Sequence, residues 1–470
     1  MPAAKSKRRK KTTAKKTTKR RTVTKVEGAI PASFAAELDK EFDANPLNRL
    51  RQNACAESDP SKMVLNQTVA TSIDRNFSKV LDDWGPTDQK GSGRCWIFAA
   101  TNLLRVGAMK KLKLKGFEFS QNQVMYWDKF EKANYFLESI IETAGLDIDD
   151  RTVATLFGNC VSDGGQWNMF VNVVLKYGLV PKSVMPETKG SSGTGALNGP
   201  LVGRLRLGSR QLRNMHAAGA SPAELRAAKL EILKDVHMYL RIHLGNPPSK
   251  FDWQWKDSKG ALRREANMTP QKFFRKYVTV PLDDYVCLVH DPRKTSPYNR
   301  TFTVKHLGNV VDGGIVKYLN IDIDLMKKIT MKTILGGEPV WFGCDCGKMM
   351  HRDMSVWDKD MFDYETFYGS TTDIDDKADR LLYKTSAMNH AMLFTGVDVV
   401  KGKPRKWRVE NSWGDKGEGK GFYLMNDSWF NEHMFEIAAR KSALPLALQK
   451  ACEKPPIVLP PWDPMGSLAR

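Results

Sequence analysis

Cysteine is scarce in this 470-residue chain: seven residues, at positions 55, 95, 160, 287, 344, 346 and 452, share no regular spacing. So few argue against a disulfide-built scaffold and fit free thiols in a reducing compartment. Cys344 and Cys346 match neither a zinc ribbon nor a redox C-x-x-C pair and read as alternating residues of a buried strand. No metal and no other cofactor is expected. Long apolar runs are also missing, since no stretch approaches the roughly 18 residues that a membrane helix needs. The N-terminal Lys/Arg clusters are not followed by the apolar stretch of a secretory leader. The first 22 residues hold almost nothing apolar, too little for the face of an amphipathic presequence. These absences predict a soluble, cytoplasmic protein with no membrane partner.

What the chain has in excess is positive charge, unevenly placed. The formal net charge is +20, yet residues 1–26 carry 12 Lys or Arg and no Asp or Glu, which leaves the remainder at +8. Like charges at that density repel, and nothing apolar offsets the ordering entropy, so residues 1–30 read as a disordered basic tail. Its clusters at 7–11 and 19–21 have the character of a nuclear signal or a non-specific nucleic-acid contact. A tail that merely solubilises the chain is the competing reading.

The length suits roughly two to three domains. Ordered structure is expected from near Pro31, where Ser33 can cap a helix with Phe34, Leu38 and Phe42 at helical spacing. Residues 31–200 read as mainly helical, including a helix over 95–113 with Cys95, Ala99, Leu103 and Val106 on one face. Residues 201–280 read as a helical insertion. Within it, Ser221-Pro222-Ala223-Glu224 supplies a cap, a first-turn proline and a capping-box acid for a helix over 222–244. Residues 281–453 turn to short, branched and aromatic runs, such as Pro339–Phe342, Ala391–Val397 and Trp407–Val409, which predict strands. Helices early and strands late, without βαβ alternation, give an α+β fold class. From Lys454 five prolines fall within 17 residues, so 454–470 is expected to be an extended arm that docks through Leu459, Trp462 and Leu468.

The strongest chemical signal is Gln89-Lys90-Gly91-Ser92-Gly93-Arg94-Cys95-Trp96 at a helix start. A helix N-terminus and a nearby imidazolium both favour the thiolate, the nucleophilic form of cysteine. The Cys95 backbone N–H and the Gln89 side-chain amide can both donate to an oxyanion. A base is needed, and eight histidines compete for the role. Only Asn389-His390-Ala391-Met392 leads into a strand-like apolar run, and it is followed by Asn411-Ser412-Trp413-Gly414, where Asn411 can orient an imidazole.

In this order the segments resemble the papain superfamily. The resemblance implies a papain-like fold, with a helical half carrying Cys95 as nucleophile and a β-barrel-like half carrying His390 as its proton partner. It further implies Asn411 as orienter, Gln89 as oxyanion donor, Trp413 as a shield over the His–Asn bond, and Asp163-Gly164-Gly165 as a substrate-lining strip. Two departures narrow the branch. Ser92 and Arg94 replace residues of the cathepsin signature, and His390 lies 295 residues after Cys95, against about 130–150 in that pattern. Both departures are features of the bleomycin-hydrolase family. The likeness extends to Phe117-Glu118-Phe119-Ser120-Gln121, Tyr126-Trp127-Asp128-Lys129, Asn309-Val310-Val311-Asp312-Gly313, Val340-Trp341-Phe342-Gly343-Cys344-Asp345 and Leu459 through Ala469, so it covers about residues 35–470.

That family implies an intracellular cysteine aminopeptidase acting on peptides and on bleomycin. It also implies a homohexamer in which each C-terminal arm lies in a cleft, so that its terminal carboxylate meets the substrate ammonium. Trimming of Arg470, leaving the carboxylate on Ala469, is expected on this reading. An endopeptidase with an open cleft, or a nucleic-acid-associated protein on an inactive peptidase fold, are the alternatives.

Overall fold

The computed structural model describes residues 26–81 and 84–470, so the expectation for the basic tail falls almost wholly outside the described residues. The chain divides into two compact units, Met1–Met63 and Val64–Arg470. In the first, helices span Ala32–Ala44 and Pro46–Glu57. The expected cap at Ser33 does not form: Pro31 occupies the N-cap position without a side-chain bond, and Ser33 lies in the first turn. Phe34, Leu38 and Phe42 do share one helix, and all three are exposed.

The second unit is built around the helix Cys95–Leu112, of which 14 of 18 residues are buried, so it is a central helix rather than a surface one. It ends where Lys113 takes the left-handed conformation, with Lys110 and Lys111 in the last turn against the negative end of the helix dipole. Helices Gln121–Glu142 and Trp167–Tyr177 pack on the same core.

A large sheet covers this core. From one edge its order is Ile457–Leu459, Thr301–Val304, Tyr318–Asn320, Tyr285–Val289, Met434–Arg440, Val340–Cys344, His390–Val400, Lys403–Glu410 and Phe422–Asn426, followed by two short strands. Side-chain alternation separates two cores. Trp341, Ala391 and Leu393 face the helices, whereas Val340, Phe342, Met392 and Phe394 face a second core that also contains Trp407 and Phe430. The central strands Val340–Cys344 and His390–Val400 are buried on both faces over most of their length, which explains their near-continuous apolar sequences.

The capping box at Ser221 forms as read: Ser221 N–H donates to Glu224 Oε2 at 2.8 Å, and Glu224 N–H to Ser221 Oγ at 3.3 Å. The segment 201–280 also contains an antiparallel hairpin, Phe251–Lys256 with Leu262–Met268. Cys344 ends a buried strand, but Cys346 lies beyond it in a turn, because Cys344 is the last strand residue. The C-terminal arm is not wholly extended: Ile457–Leu459 forms a parallel edge strand against Thr301–Val304, and Pro464–Ala469 coils into a 3-10 helix.

The central helix and the sheet are joined by a buried carboxylate. Glu410, the last residue of its strand, accepts from Arg105 Nη2 at 2.5 Å, Asn102 Nδ2 at 2.6 Å and Trp84 Nε1 at 2.8 Å. Removing the Arg105 guanidinium takes a charge-assisted bond from this buried carboxylate. Arg105→Met is therefore expected to lower unfolding free energy by about 3 kcal/mol, measured as a fall in the denaturant midpoint at unchanged slope. An unchanged midpoint would show that the pair carries no such load.

Candidate active site

Three segments far apart in sequence are zipped together by backbone bonds. Gln89 N–H donates to Ser412 O at 2.8 Å and Gly414 N–H to Thr87 O at 2.9 Å, so the loop before Cys95 runs against Ser412–Gly414. The histidine strand pairs on one side with Val340–Cys344, placing His390 opposite Cys344, and on the other with the strand that ends at Glu410. Asn411 follows immediately. Sheet register, rather than any local sequence feature, therefore brings His390 and Asn411 to the start of the Cys95 helix.

At that junction His390 Nε2 lies 2.9 Å from Asn411 Oδ1. The carboxamide oxygen can only accept, so Nε2 carries the proton and Nδ1 of the neutral ring keeps the lone pair. Trp413 stacks on the imidazole, with ring centroids 4.9 Å apart. Cys95 is the first residue of its helix, and its Sγ accepts from Ala391 N–H at 3.4 Å. Burial pushes the Cys95 thiol up to about 11, opposed by the N–H groups of Ala391, Trp96 and Cys95 itself. Burial likewise pushes His390 down to about 4, opposed by its bond to Asn411. In the closed cleft both groups are therefore favoured in their neutral forms.

Gln89 is held from both ends: its Oε1 accepts from Ser412 Oγ at 2.6 Å, and its Nε2 donates to Ser92 O at 2.5 Å. An amide nitrogen has two hydrogens, so one remains free. The loop before Cys95 is further fixed by Arg94, which is buried, donates to both Glu187 carboxylate oxygens at 3.1 and 2.8 Å, and reaches Ser92 Oγ at 2.9 Å.

The opposite rim is the Asp163–Gly165 strip. Trp96 Nε1 donates to Asp163 O at 2.7 Å, and the Asp163 carboxylate accepts from Gly93 N–H at 3.2 Å and pairs with Lys129 at 2.6 Å. A side chain at Gly165 would strike the Trp96 ring, its Cβ falling 2.5 Å from the indole. At Gly164 the obstacle is the C-terminal arm, for a Cβ there would sit 2.3 Å from Leu468 O. The arm's end is held by Asn159 Nδ2, which donates to Ala469 O at 3.3 Å, and by Ser467 Oγ, which donates to Met388 O at 2.8 Å, two residues before His390.

The structure thus gathers Cys95, His390, Asn411, Gln89, Trp413, Gly164, Gly165 and Ala469 around one cleft. The Arg470 side chain does not join them: its guanidinium turns back to donate to Pro461 O within the arm. Sequence reasoning missed Glu410, and it noted Arg94 only as a departure without foreseeing the Glu187 pair. A lone acid beside Asn411 and a basic residue at a buried helix start were the available signals.

The Peptidase C1-like family model matches residues 29–466. Aminopeptidase C of Lactobacillus helveticus is 40% identical over 440 residues, covering 92% of this chain and 97% of that protein. Bleomycin hydrolase of Homo sapiens is 37% identical over 443 residues, covering 92% and 97%. Among solved structures, the pepw protein from lactobacillus rhamnosis superposes with a TM-score of 0.91 at 40% identity, covering 94% of this chain and 99% of that one. With a catalytic-type Cys–His–Asn arrangement and relatives matching nearly end to end, the chain belongs to the Peptidase C1-like family.

Proposed function

We propose that this protein is a cysteine aminopeptidase that removes N-terminal residues from peptides, with Cys95 as nucleophile. Similarity to proteins named aminopeptidase C and bleomycin hydrolase supports the reaction class and extends the expected substrates to bleomycin. The observation that carries the exopeptidase reading is the seating of Leu468 and Ala469 on Gly164.

His390 Nδ1 takes the thiol proton as Cys95 Sγ attacks the scissile carbonyl. The oxyanion is met by the Cys95 N–H and the free Gln89 amide hydrogen. His390 then gives the proton to the departing amine, and water, deprotonated by the same imidazole, hydrolyses the thioester. Asn411 keeps the ring oriented, and Trp413 keeps water from their hydrogen bond. Gly164 and Gly165 offer backbone to the substrate. The arm fills the cleft on the acyl side, so that about one residue fits before the scissile bond.

Ala469 O already has Asn159 as a donor, which supports trimming of Arg470 to leave a carboxylate on Ala469 for the substrate ammonium. Two finer readings complete the proposal: assembly into a homohexamer, supported by resemblance, and non-specific nucleic-acid binding or nuclear targeting by residues 1–26, supported by their 12 uncompensated basic residues. Among the described residues no helix is long and apolar enough to cross a membrane.

The decisive experiment compares a free-amine aminoacyl fluorogenic substrate with its N-acetylated twin under reducing conditions. Cleavage of the free-amine substrate alone, lost in Cys95→Ala, is the expected result; cleavage of both would make the enzyme an endopeptidase. The intact mass should lack Arg470 in wild type and retain it in Cys95→Ala, whereas active wild type that keeps Arg470 would rule out self-trimming.

The pH profile follows from the depressed imidazole. Protonation inactivates a general base only below its own pKa, so the acid limb of kcat/KM is expected near 4 rather than near the ordinary histidine value. A limb at 6 to 7 would contradict a buried, neutral His390.

Sedimentation of the purified protein tests the hexamer. Deleting residues 1–26 should abolish DNA retention that weakens steeply with salt, and equal retention by the shortened chain would dismiss the tail's role.

A further inference from the structure

After the edge strand Ile457–Leu459, the arm has little backbone support. Three of the residues from 460 to 464 are prolines, which donate no N–H. The N–H groups of Asp463, Gly466 and Arg470 bond within the arm, to Pro460, Asp463 and Ser467. Neutral side-chain bonds from Asn159 to Ala469 O and from Ser467 to Met388 O, and the Arg151 guanidinium over Trp462, hold the 3-10 helix Pro464–Ala469 from the body side.

One buried ion pair adds a charged, two-pronged contact to these. Arg293 Nη1 donates to Asp463 Oδ2 at 3.1 Å and Nη2 to Asp463 Oδ1 at 2.9 Å, a two-pronged contact that fixes orientation as well as distance. Both side chains are 8% exposed, so water screens the pair weakly. Asp463 Oδ1 also accepts from Met465 N–H at 2.9 Å, capping the helix that carries Leu468 to Gly164. Among the described residues no other ion pair joins residues 460–470 to the rest of the chain.

The guanidinium is preorganised from the body side. Asp291 accepts from Arg293 Nε and Nη2 at 3.0 and 2.7 Å, and from Ser296 Oγ at 2.9 Å. The fully buried Asn320 holds that loop by donating to Asp291 O at 2.8 Å and Ser296 O at 2.6 Å, and it accepts from Asp291 N–H at 2.9 Å. Arg293 therefore keeps a carboxylate partner and a fixed position even without the arm. Arg293 is the one cation of the body that forms an ion pair with Asp463 among the described residues. This asymmetry distinguishes a socket, built into the body, from the plug that enters it.

We propose that Arg293 is a specificity-determining residue: its socket with Asp291 latches Asp463, and that latch holds the arm's end in the cleft. The inference rests on the aminopeptidase reading above. Arg293 touches neither Cys95 nor His390, and it acts by positioning Leu468 and Ala469. With the latch broken, the edge strand stays paired while the last residues leave the Gly164 rim. The acyl side of the cleft then admits peptides that lack a free amine.

The test uses the full chain as wild type, Asp463→Asn and Arg293→Met. Asp463→Asn keeps the side-chain shape and the oxygen that caps Met465, and it leaves Arg293 paired with Asp291. Three quantities are measured: kcat/KM for the free-amine substrate, kcat/KM for its N-acetylated twin, and rates of Cys95 alkylation. Alkylation is run with iodoacetamide, which is small, and with an N-blocked peptidyl chloromethyl ketone, which needs the acyl side.

Both variants are expected to raise the blocked-to-free ratio of kcat/KM at least about tenfold, as loss of a buried bidentate pair implies. The peptidyl reagent should accelerate while the iodoacetamide rate holds, a signature that general destabilisation does not give. Wild type that cleaves both substrates equally overturns the aminopeptidase reading, and the latch with it. Wild type that discriminates, beside variants that discriminate equally well, overturns the latch alone. Variants that lose their far-UV circular dichroism together with a reactive Cys95 assign the pair to stability of the body, which also overturns it.

Discussion

The cleft depends on a joint between one helix and one sheet, and Glu410 is the buried charge that makes it. Cys95 and His390 come from elements almost three hundred residues apart, and neither element contains its own means of alignment. Glu410 joins them, because one carboxylate takes bonds from Arg105 and Asn102 on the Cys95 helix and from Trp84 before it. Its own strand pairs with the histidine strand through Leu393 opposite Glu410. Sliding the helix along the sheet would break charge-assisted bonds in a dry interior, where an unpaired carboxylate costs most. Asn411 is the next residue, so the position of His390 relative to Cys95 is inherited from this joint.

The two glycines of the rim answer different constraints. Gly165 lets the strip approach the Trp96 indole, and Trp96 is adjacent to Cys95. Gly164 leaves room for the arm, whose Leu468 carbonyl takes the space of a side chain. One pair of residues thus registers the rim to Cys95 on one side and to the C-terminus on the other. Lys132 reinforces this from beneath by donating to the carbonyls of Ser162 and Gly164. A change at either glycine would be read out differently, the first in the chemistry and the second in which end of a peptide is accepted.

Much of the site was legible because its signals are local. A cysteine opening a helix, a histidine opening an apolar strand and an asparagine before Ser-Trp-Gly each declare themselves in a few residues. The helix over 222–244 was legible for the same reason, since its cap lies within four positions of its start. The ion pairs that assemble the cleft were not legible. Arg94 with Glu187, Arg105 with Glu410 and Arg293 with Asp463 join residues 93, 305 and 170 positions apart, and no periodicity links such partners. The hairpin at 251–268 was a miss of another kind. Phe251, Trp253 and Trp255 alternate with polar residues, a period-two pattern that the surrounding helices obscured. Ser33 failed as a cap because Pro31 already turns the chain into the helix two residues earlier.

The same buried charges explain how the chain manages with free thiols. Ser92 stands where the cathepsin signature has a cysteine, and it is engaged by Arg94 and donates to Gln89 O at 2.6 Å. Directional ionic bonds, rather than a covalent bridge, hold the loop, so reducing conditions leave it intact. The buried thiols differ in their surroundings. Burial raises the pKa of Cys160, Cys287, Cys344, Cys346 and Cys452, and at Cys344 and Cys346 neighbouring negative charge raises it further. Burial raises Cys95 too, opposed by the N–H groups of Ala391, Trp96 and Cys95 itself. It also stands at the positive end of a helix, beside an imidazole with a free lone pair. What sets Cys95 apart from the other buried thiols is the backbone and the imidazole arranged around it.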